Sequence, residues 1–451
     1  MIGIVMFCVG MAMLLIGFPV AFTFGAVSVF FGIASGMIES FADGGGTLFE
    51  GFQTGMNLFA FMPHRVWAIM NNTILISVPM FVLMGIILQK SRLAERLLEA
   101  MAFLFGEVRG GLAISTVLVG ALLAASTGVV GASVVAMGVI SLPVMLKYNY
   151  SKSLACGTIC ASGTLGQIIP PSVVLIILGD VFQLPVGDLF EGAMWPGLTL
   201  VAIYVIYIAI VSFINKDVAP AIPKSELTGS KLKQVINAFK AILPPLILII
   251  LVLGSIFEGI ATPTESSALG CVGAVLLALM YKSFSFQMIH EASMETVRTT
   301  AMIFAILIGA TAFSMVFSYT GGDVIVEEVM RSLPGDKWGF IITSMVAIML
   351  LGCFIDFVEI SYIIIPILAP IAAAIGINPV WYALLIALNL QTSFLTPPFG
   401  FSLFYLRGVA PPSVLTTDIY KGVIPFILLQ VLVMIIFTVM PEFYGVSMML
   451  K

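Results

Sequence analysis

The sequence predicts an all-α polytopic membrane protein in two halves of opposite orientation, each holding a re-entrant helical hairpin and a helix broken at Pro-Pro. Three observations predict it. Of 451 residues, 60% are hydrophobic and only 9% charged, where a soluble chain carries about 25% charged residues. With a mean hydropathy of +1.16, too little polar surface remains to coat a water-soluble body. The apolar residues fall in runs long enough for about ten spans of roughly 20 residues each. The basic residues sort to one side of the membrane only if the two longest runs turn back on themselves.

The single-span runs lie at about 1–17, 19–38, 73–89, 153–179, 192–214, 241–256, 265–281, 299–320, 380–406 and 422–440. Two further runs, 111–146 and 338–376, are too long for one span and are interrupted by small or polar residues, as a helical hairpin requires. The first run has neither a basic leader nor a small-residue cleavage site, so it is expected to belong to the mature protein. Ser91–Arg109 is amphipathic with three basic residues and is expected to lie along the cytoplasmic interface.

The long polar connection 215–240 carries Lys216, Lys224, Lys231, Lys233 and Lys240 and is expected to be a cytoplasmic linker between halves 1–214 and 241–451. Walking outward from it leaves only Arg65, Arg331, Lys337 and Lys451 outside, provided both long runs re-enter. The first hairpin then enters from inside and the second from outside. An inverted repeat has this arrangement. Short matches agree with it: Pro170-Pro171 recurs 227 residues on as Pro397-Pro398, and Asp188–Gly192 recurs 230 residues on as Asp418–Gly422. Inverted halves with broken helices are a transporter pattern, with the site where the repeats meet.

The chemistry is expected at the breaks. Two adjacent prolines remove two N–H donors from a helix, and in hydrocarbon the freed carbonyls must face protein or a wet cavity. The first hairpin centres on Ser126, Thr127 and Gly128. The span after it holds Gly163, Thr164, Gln167, Pro170 and Pro171. In the second half the hairpin centres on Asp356 and Glu359, and the broken span holds Gln391, Thr392, Ser393, Thr396, Pro397 and Pro398. Oxygen-only surroundings suit Na⁺, and the positive end of a half-helix suits a carboxylate. An ionisable group between two apolar arms is costly and usually functional, which singles out Asp356. The plainer alternatives are a proline kink whose hydroxyls bond their own backbone, and a carboxylate capping the second arm.

Other polar residues read as structural. Thr262–Glu265 fits a capping box with proline at the first helical position. The five cysteines sit in apolar runs, and His64 and His290 have no partner at ligand spacing. A net charge of −4 argues against nucleic acid. No Walker loop, HExxH or nucleophile elbow occurs, so an enzyme is not expected and any ATP-hydrolysing module would sit on another chain.

Across nearly the whole chain these residues resemble the large, DctM-like membrane subunit of TRAP (tripartite ATP-independent periplasmic) transporters. The resemblance rests on Pro79–Gly85, Gly110-Gly111-Leu112, Gly163–Ser172, Thr262–Glu265 and Gln391–Gly400. It implies a multi-pass protein of the bacterial inner membrane that imports an organic acid with Na⁺ by an elevator motion. It also implies two partners, a periplasmic substrate-binding protein and a small four-helix membrane subunit. The second broken span is most similar to the branch associated with 2-oxo acids, mannitol and chloroaromatic acids. The first hairpin departs from many relatives, with Val129-Val130-Gly131 after Ser126-Thr127-Gly128 where a Gly-Ser-rich tip is usual. Within the transporter class the alternative is an ion-coupled organic-anion carrier working without a binding protein.

Overall fold

The computed structural model describes residues 1–42, 47–128, 130–223 and 231–449, without the side chains of Ala94, Phe103, Ser126, Thr127 and residues 231–234. Among these residues there are helices and one isolated bridge, Ile377 to Met449, but no strand. Nine helices among the described residues are long and apolar enough to cross a membrane.

The chain opens with α1 (Ile2–Ile16) and α2 (Val20–Ala42), then the short α3 (Leu48–Asn57) and α4 (Met62–Met70). A capping box between Thr47 and Glu50 starts α3. Next come α5 (Thr73–Lys90), the amphipathic α6 (Leu93–Phe105) and the hairpin α7 (Gly111–Thr127) and α8 (Val130–Lys147). The first broken helix follows as α9 (Lys152–Thr164) and α10 (Val173–Phe182), and α11 (Val186–Ile214) closes the half.

The second half runs through α12 (Lys231–Phe257), α13 (Pro263–Met280), α14 (Phe286–Tyr319) and a second amphipathic helix, α15 (Gly322–Arg331). Its hairpin pairs α16 (Lys337–Gly352) with α17 (Phe357–Glu359), which continues through a π-helical turn (Ile360–Ile364) into α18 (Ile365–Ala374). The second broken helix is α19 (Pro379–Ser393) and α20 (Phe401–Val409), followed by α21 (Thr416–Val439). The order span, amphipathic helix, hairpin, broken helix, span therefore occurs twice.

Two boundaries differ from expectation. Helix α12 starts at Lys231, inside the stretch read as a linker, and α14 starts at Phe286 rather than near 299. Both extensions carry charged residues that an apolar-run criterion excludes but a helix at the membrane surface accommodates. Lys224 lies outside the described residues.

The first arms of the broken helices form the centre of the molecule. Every residue of α9 from Leu154 to Thr164 is buried, as is every residue of α19 from Trp381 to Ser393. Helix α9 packs on α7, α8, α20 and α21, and α19 packs on α10, α11, α16, α18 and α21. Two close approaches tie the halves together reciprocally. Gly422 of α21 lies against the backbone of Ser153 and Gly157 on α9, and Gly192 of α11 lies against Leu384 on α19. Those two glycines end the matched Asp-x-x-x-Gly segments. The outer faces of α11, α12, α13 and α21 present Ile210, Leu251, Leu276 and Leu428 among many exposed apolar side chains, a surface suited to hydrocarbon and not to water.

Candidate functional site

Each broken helix stops for a local reason. In the first, α9 tightens into a 3₁₀ turn (Leu165–Gln167) ahead of Pro170-Pro171. Ser172 then caps α10, accepting from the Leu175 N–H at 3.4 Å, while its hydroxyl donates 2.7 Å to the freed Gln167 carbonyl. In the second, the Ser402 hydroxyl donates 2.8 Å to the freed Phe394 carbonyl. The Pro170–Pro171 and Pro397–Pro398 bonds are both cis. A serine just beyond each proline pair thus satisfies a carbonyl that the break leaves open. The first break is buried throughout, whereas Pro398 and Phe399 of the second are exposed.

The hairpin tips pack against these breaks. Gly128 ends α7 at φ 61°, and a Cβ there would lie 3.3 Å from the Pro171 carbonyl. At the other hairpin Gly352 packs directly on the Ser393 side chain. Asp356 caps α17, its Oδ1 accepting from the Phe357 N–H at 2.7 Å. Capping is therefore one of its roles, but Asp356 also lines a cavity of about 390 Å³.

That cavity is where both hairpins and both broken helices converge. Its walls include Val130, Gly131 and Ala132 from the first hairpin, and Asp356, Phe357 and Val358 from the second. Val173 of α10, Phe394 at the second break and Tyr405 of α20 join them, with Gln89 of α5 and Glu295 and Thr299 of α14. Gly131 sits against the Tyr405 ring, so a first-half hairpin touches a second-half broken helix. Glu295 is held 3.4 Å from Lys90. Among the described residues Asp356 has no basic partner on the cavity wall, which holds no Lys, Arg or His.

The other expected residues divide into three groups. Thr392, Ser393 and Thr396 donate to the carbonyls of Leu388, Leu390 and Thr392 at 2.8 to 2.9 Å. Their protons are thus committed to their own helix, which leaves oxygen lone pairs as acceptors. The Thr164 hydroxyl does the same with Ala161, at 3.0 Å. Gln167, Gln391 and Glu359 are buried with unpartnered polar atoms, and neither glutamine nor Glu359 lines the cavity. Gly163 packs on Val134 of α8. The side chains of Ser126 and Thr127 lie outside the described residues. Among the described residues no three His, Cys, Asp or Glu side chains gather into a metal cluster.

Sequence reasoning missed Gln89, Glu295, Thr299 and Tyr405, which sit on helices with no local mark. It also missed Asp180 at the end of α10, a buried carboxylate bonded to Asn72 and to Tyr362.

The family profile for the DctM component of tripartite ATP-independent periplasmic transporters matches residues 7–443. The chain belongs to this family. It is 31% identical over 369 residues to the ectoine TRAP transporter large permease protein TeaC of Halomonas elongata, covering 82% of this chain and 84% of that one. To the C4-dicarboxylate TRAP transporter large permease protein DctM of Pseudomonas aeruginosa it is 29% identical, covering 81% and 84%. The Alcanivorax borkumensis YdaH transporter, a crystal structure of unusual topology, shares the fold at a TM-score of 0.61 and 13% identity, covering 87% of this chain and 89% of its own. As a DctM-family large permease this is a multi-pass protein of the bacterial inner membrane and one component of a secondary transporter that depends on a substrate-binding protein and a small membrane subunit.

Proposed function

We propose that this DctM-family permease imports an organic acid together with Na⁺ by an elevator motion of its hairpin-bearing elements. The observation that carries the reading is the cavity wall: among the described residues it has Asp356 without a basic partner, Glu295 already paired with Lys90, and no basic side chain of its own. An organic anion entering such a space is repelled unless cations accompany it, because an unpaired charge away from water is costly.

Na⁺ is written here as co-substrate. Asp356, with lone pairs from Thr392, Ser393 and Thr396 at the adjoining break, supplies one charge and several neutral oxygens, a set suited to a hard monovalent cation. Ser126, Thr127, Gly128, Gly163 and Thr164 make up the corresponding set in the first half, without a carboxylate. With both sets filled, the cargo settles against the region of Gln167, Pro170, Pro171, Glu359, Gln391, Pro397 and Pro398. The twofold order of elements and the reciprocal contacts of Gly192 and Gly422 support an inverted repeat whose halves move as hairpin-bearing and framework parts.

The test is uptake into vesicles holding this chain with its small subunit, with binding protein and cargo supplied outside. The expected result is concentrative uptake that requires an inward Na⁺ gradient and disappears when the binding protein or small subunit is omitted. Uptake by this chain alone would favour the carrier without a binding protein. Uptake indifferent to Na⁺ would overturn the coupling.

A further inference from the structure

Where α5 and α13 end and α14 begins, a second cavity of about 520 Å³ opens. Lys90, Arg92, Arg96 and Lys282 line it with Ser283 and a single carboxylate, Glu291. Two of the four cations are already engaged. Lys90 lies 3.5 Å from Glu291 and 3.4 Å from Glu295. Arg96 donates 2.8 Å to the Tyr281 carbonyl, with its guanidinium 4.9 Å over the Tyr281 ring. Arg92 and Lys282 form no ion pair among the described residues, and turn backbones at φ 58° and 55° hold them there.

Helix ends hold both cations at turns. Arg92 follows the C-cap of α5 and is itself the N-cap residue of α6, whose first turn holds Glu95, and Lys282 follows the C-cap of α13, ahead of the N-cap of α14. A helix C-terminus favours a cation, so these positions keep both side chains charged at the cavity. An apolar feature stands beside the charges. Phe286, the first residue of α14, is 86% exposed, and Phe284 packs edge-on against it at 5.7 Å. Exposed Phe286 and half-buried Phe284 thus offer an apolar contact next to the cationic cavity.

We propose that this cavity binds the phosphate of an anionic phospholipid, with Arg92 and Lys282 as its principal contacts and the Phe284–Phe286 pair against its acyl chains. Basic pockets between helices on the cytoplasmic side suit such headgroups. The lipid would bridge the α5–α6 and α13–α14 junctions, pinning the amphipathic helix to the framework.

A free phosphate shares the headgroup's chemistry, so the experiment separates the two. The purified chain is placed in nanodiscs of equal phosphatidylglycerol and phosphatidylcholine, and the lipids it retains are counted by native mass spectrometry. The expected result is about tenfold enrichment of phosphatidylglycerol, reduced at least fivefold in Arg92→Gln/Lys282→Gln. It should persist in Lys282→Arg, which keeps the charge, and in the presence of millimolar inorganic phosphate. Abolition by inorganic phosphate would mean a soluble phosphate site and overturn the lipid assignment. No enrichment in the wild type, or undiminished enrichment in the double variant, would overturn the site. Should Arg92→Gln/Lys282→Gln fail to fold, Lys282→Gln alone gives the same reading, with at least a twofold loss expected and an unchanged ratio overturning the proposal.

Discussion

The side-chain amide of Asn72 donates to the carboxylate of Asp180, joining the start of α5 to the end of α10 across 108 residues of chain. The same Asn72 caps α5 by accepting from the Ile74 N–H at 2.9 Å. The Tyr362 hydroxyl reaches the other Asp180 oxygen at 3.4 Å, which brings the second hairpin into the cluster.

Asn72→Ala removes both the cap and a donor to a buried carboxylate. Loss of a cap costs about 1 kcal/mol, and an unmet buried polar group costs about 1–3 kcal/mol. Thermal unfolding in detergent should therefore show a clear fall in Tm. Asp180→Asn removes the charge that Asn72 meets, so the double variant should lose less than the sum of the two single losses. Strict additivity would mean the pair is not coupled.

Asp356→Asn keeps the shape of the hairpin tip and still offers an oxygen to the Phe357 N–H, but it removes the charge. Interactions with a charged partner are worth about 1.5–3 kcal/mol, or about 10- to 100-fold in affinity. The half-saturating Na⁺ for uptake by the assembled transporter should rise by about that factor, with assembly unchanged on size-exclusion chromatography. An unchanged Na⁺ dependence would reduce Asp356 to a helix cap.

Replacing Pro170-Pro171 or Pro397-Pro398 with Ala-Ala restores the two missing N–H donors, and a continuous helix becomes available. Both variants should reach the membrane and remain folded, yet lose most Na⁺-dependent uptake because the half-helix ends vanish. Wild-type transport by both would mean that the breaks are kinks without a transport role.

Gly422→Ala places a methyl group into the Ser153 carbonyl and 2.9 Å from the Gly157 nitrogen. Overpacking of this kind costs about 1–3 kcal/mol. Gly408→Ala is the matched control, since nothing lies within 4 Å of the added carbon in its helix, and it should be neutral or gain up to about 1 kcal/mol. Thermal unfolding of the two variants side by side checks the contrast. Equal stability would mean that α9 and α21 can move apart.

How much was legible in the sequence follows from what acts locally. The pairs at Pro170-Pro171 and Pro397-Pro398 each remove two N–H donors, although a pair alone does not end a helix, since α12 runs on through Pro244-Pro245. The charge walk turns both long runs back, so the turns at Gly128 and at Cys353–Asp356 could be read from the chain. The capping box at Thr262–Glu265 was legible too, and both of its bonds are present. Asp180 was not, because it ends an apolar run like any other and acquires meaning only from Asn72 and Tyr362. Gln89, Thr299 and Tyr405 face the cavity because of how α5, α14 and α20 are rotated, and helices apolar on most faces carry no stripe that records rotation. Helices α3 and α4 are short and flanked by polar residues, so an apolar-run criterion passes over them.

The enclosure of α9 sets an order for biosynthesis. At 13 residues, with small and hydroxylated side chains, it is not among the helices long and apolar enough to cross a bilayer. Two of the partners that shield it, α20 and α21, are translated only after α10 to α19. Through most of synthesis the first broken helix must therefore be sheltered by the hairpin α7–α8 alone or by insertion machinery. A chain that stops before Thr416 would leave the α21-facing side of α9 uncovered, with its small and hydroxylated residues open to whatever surrounds it.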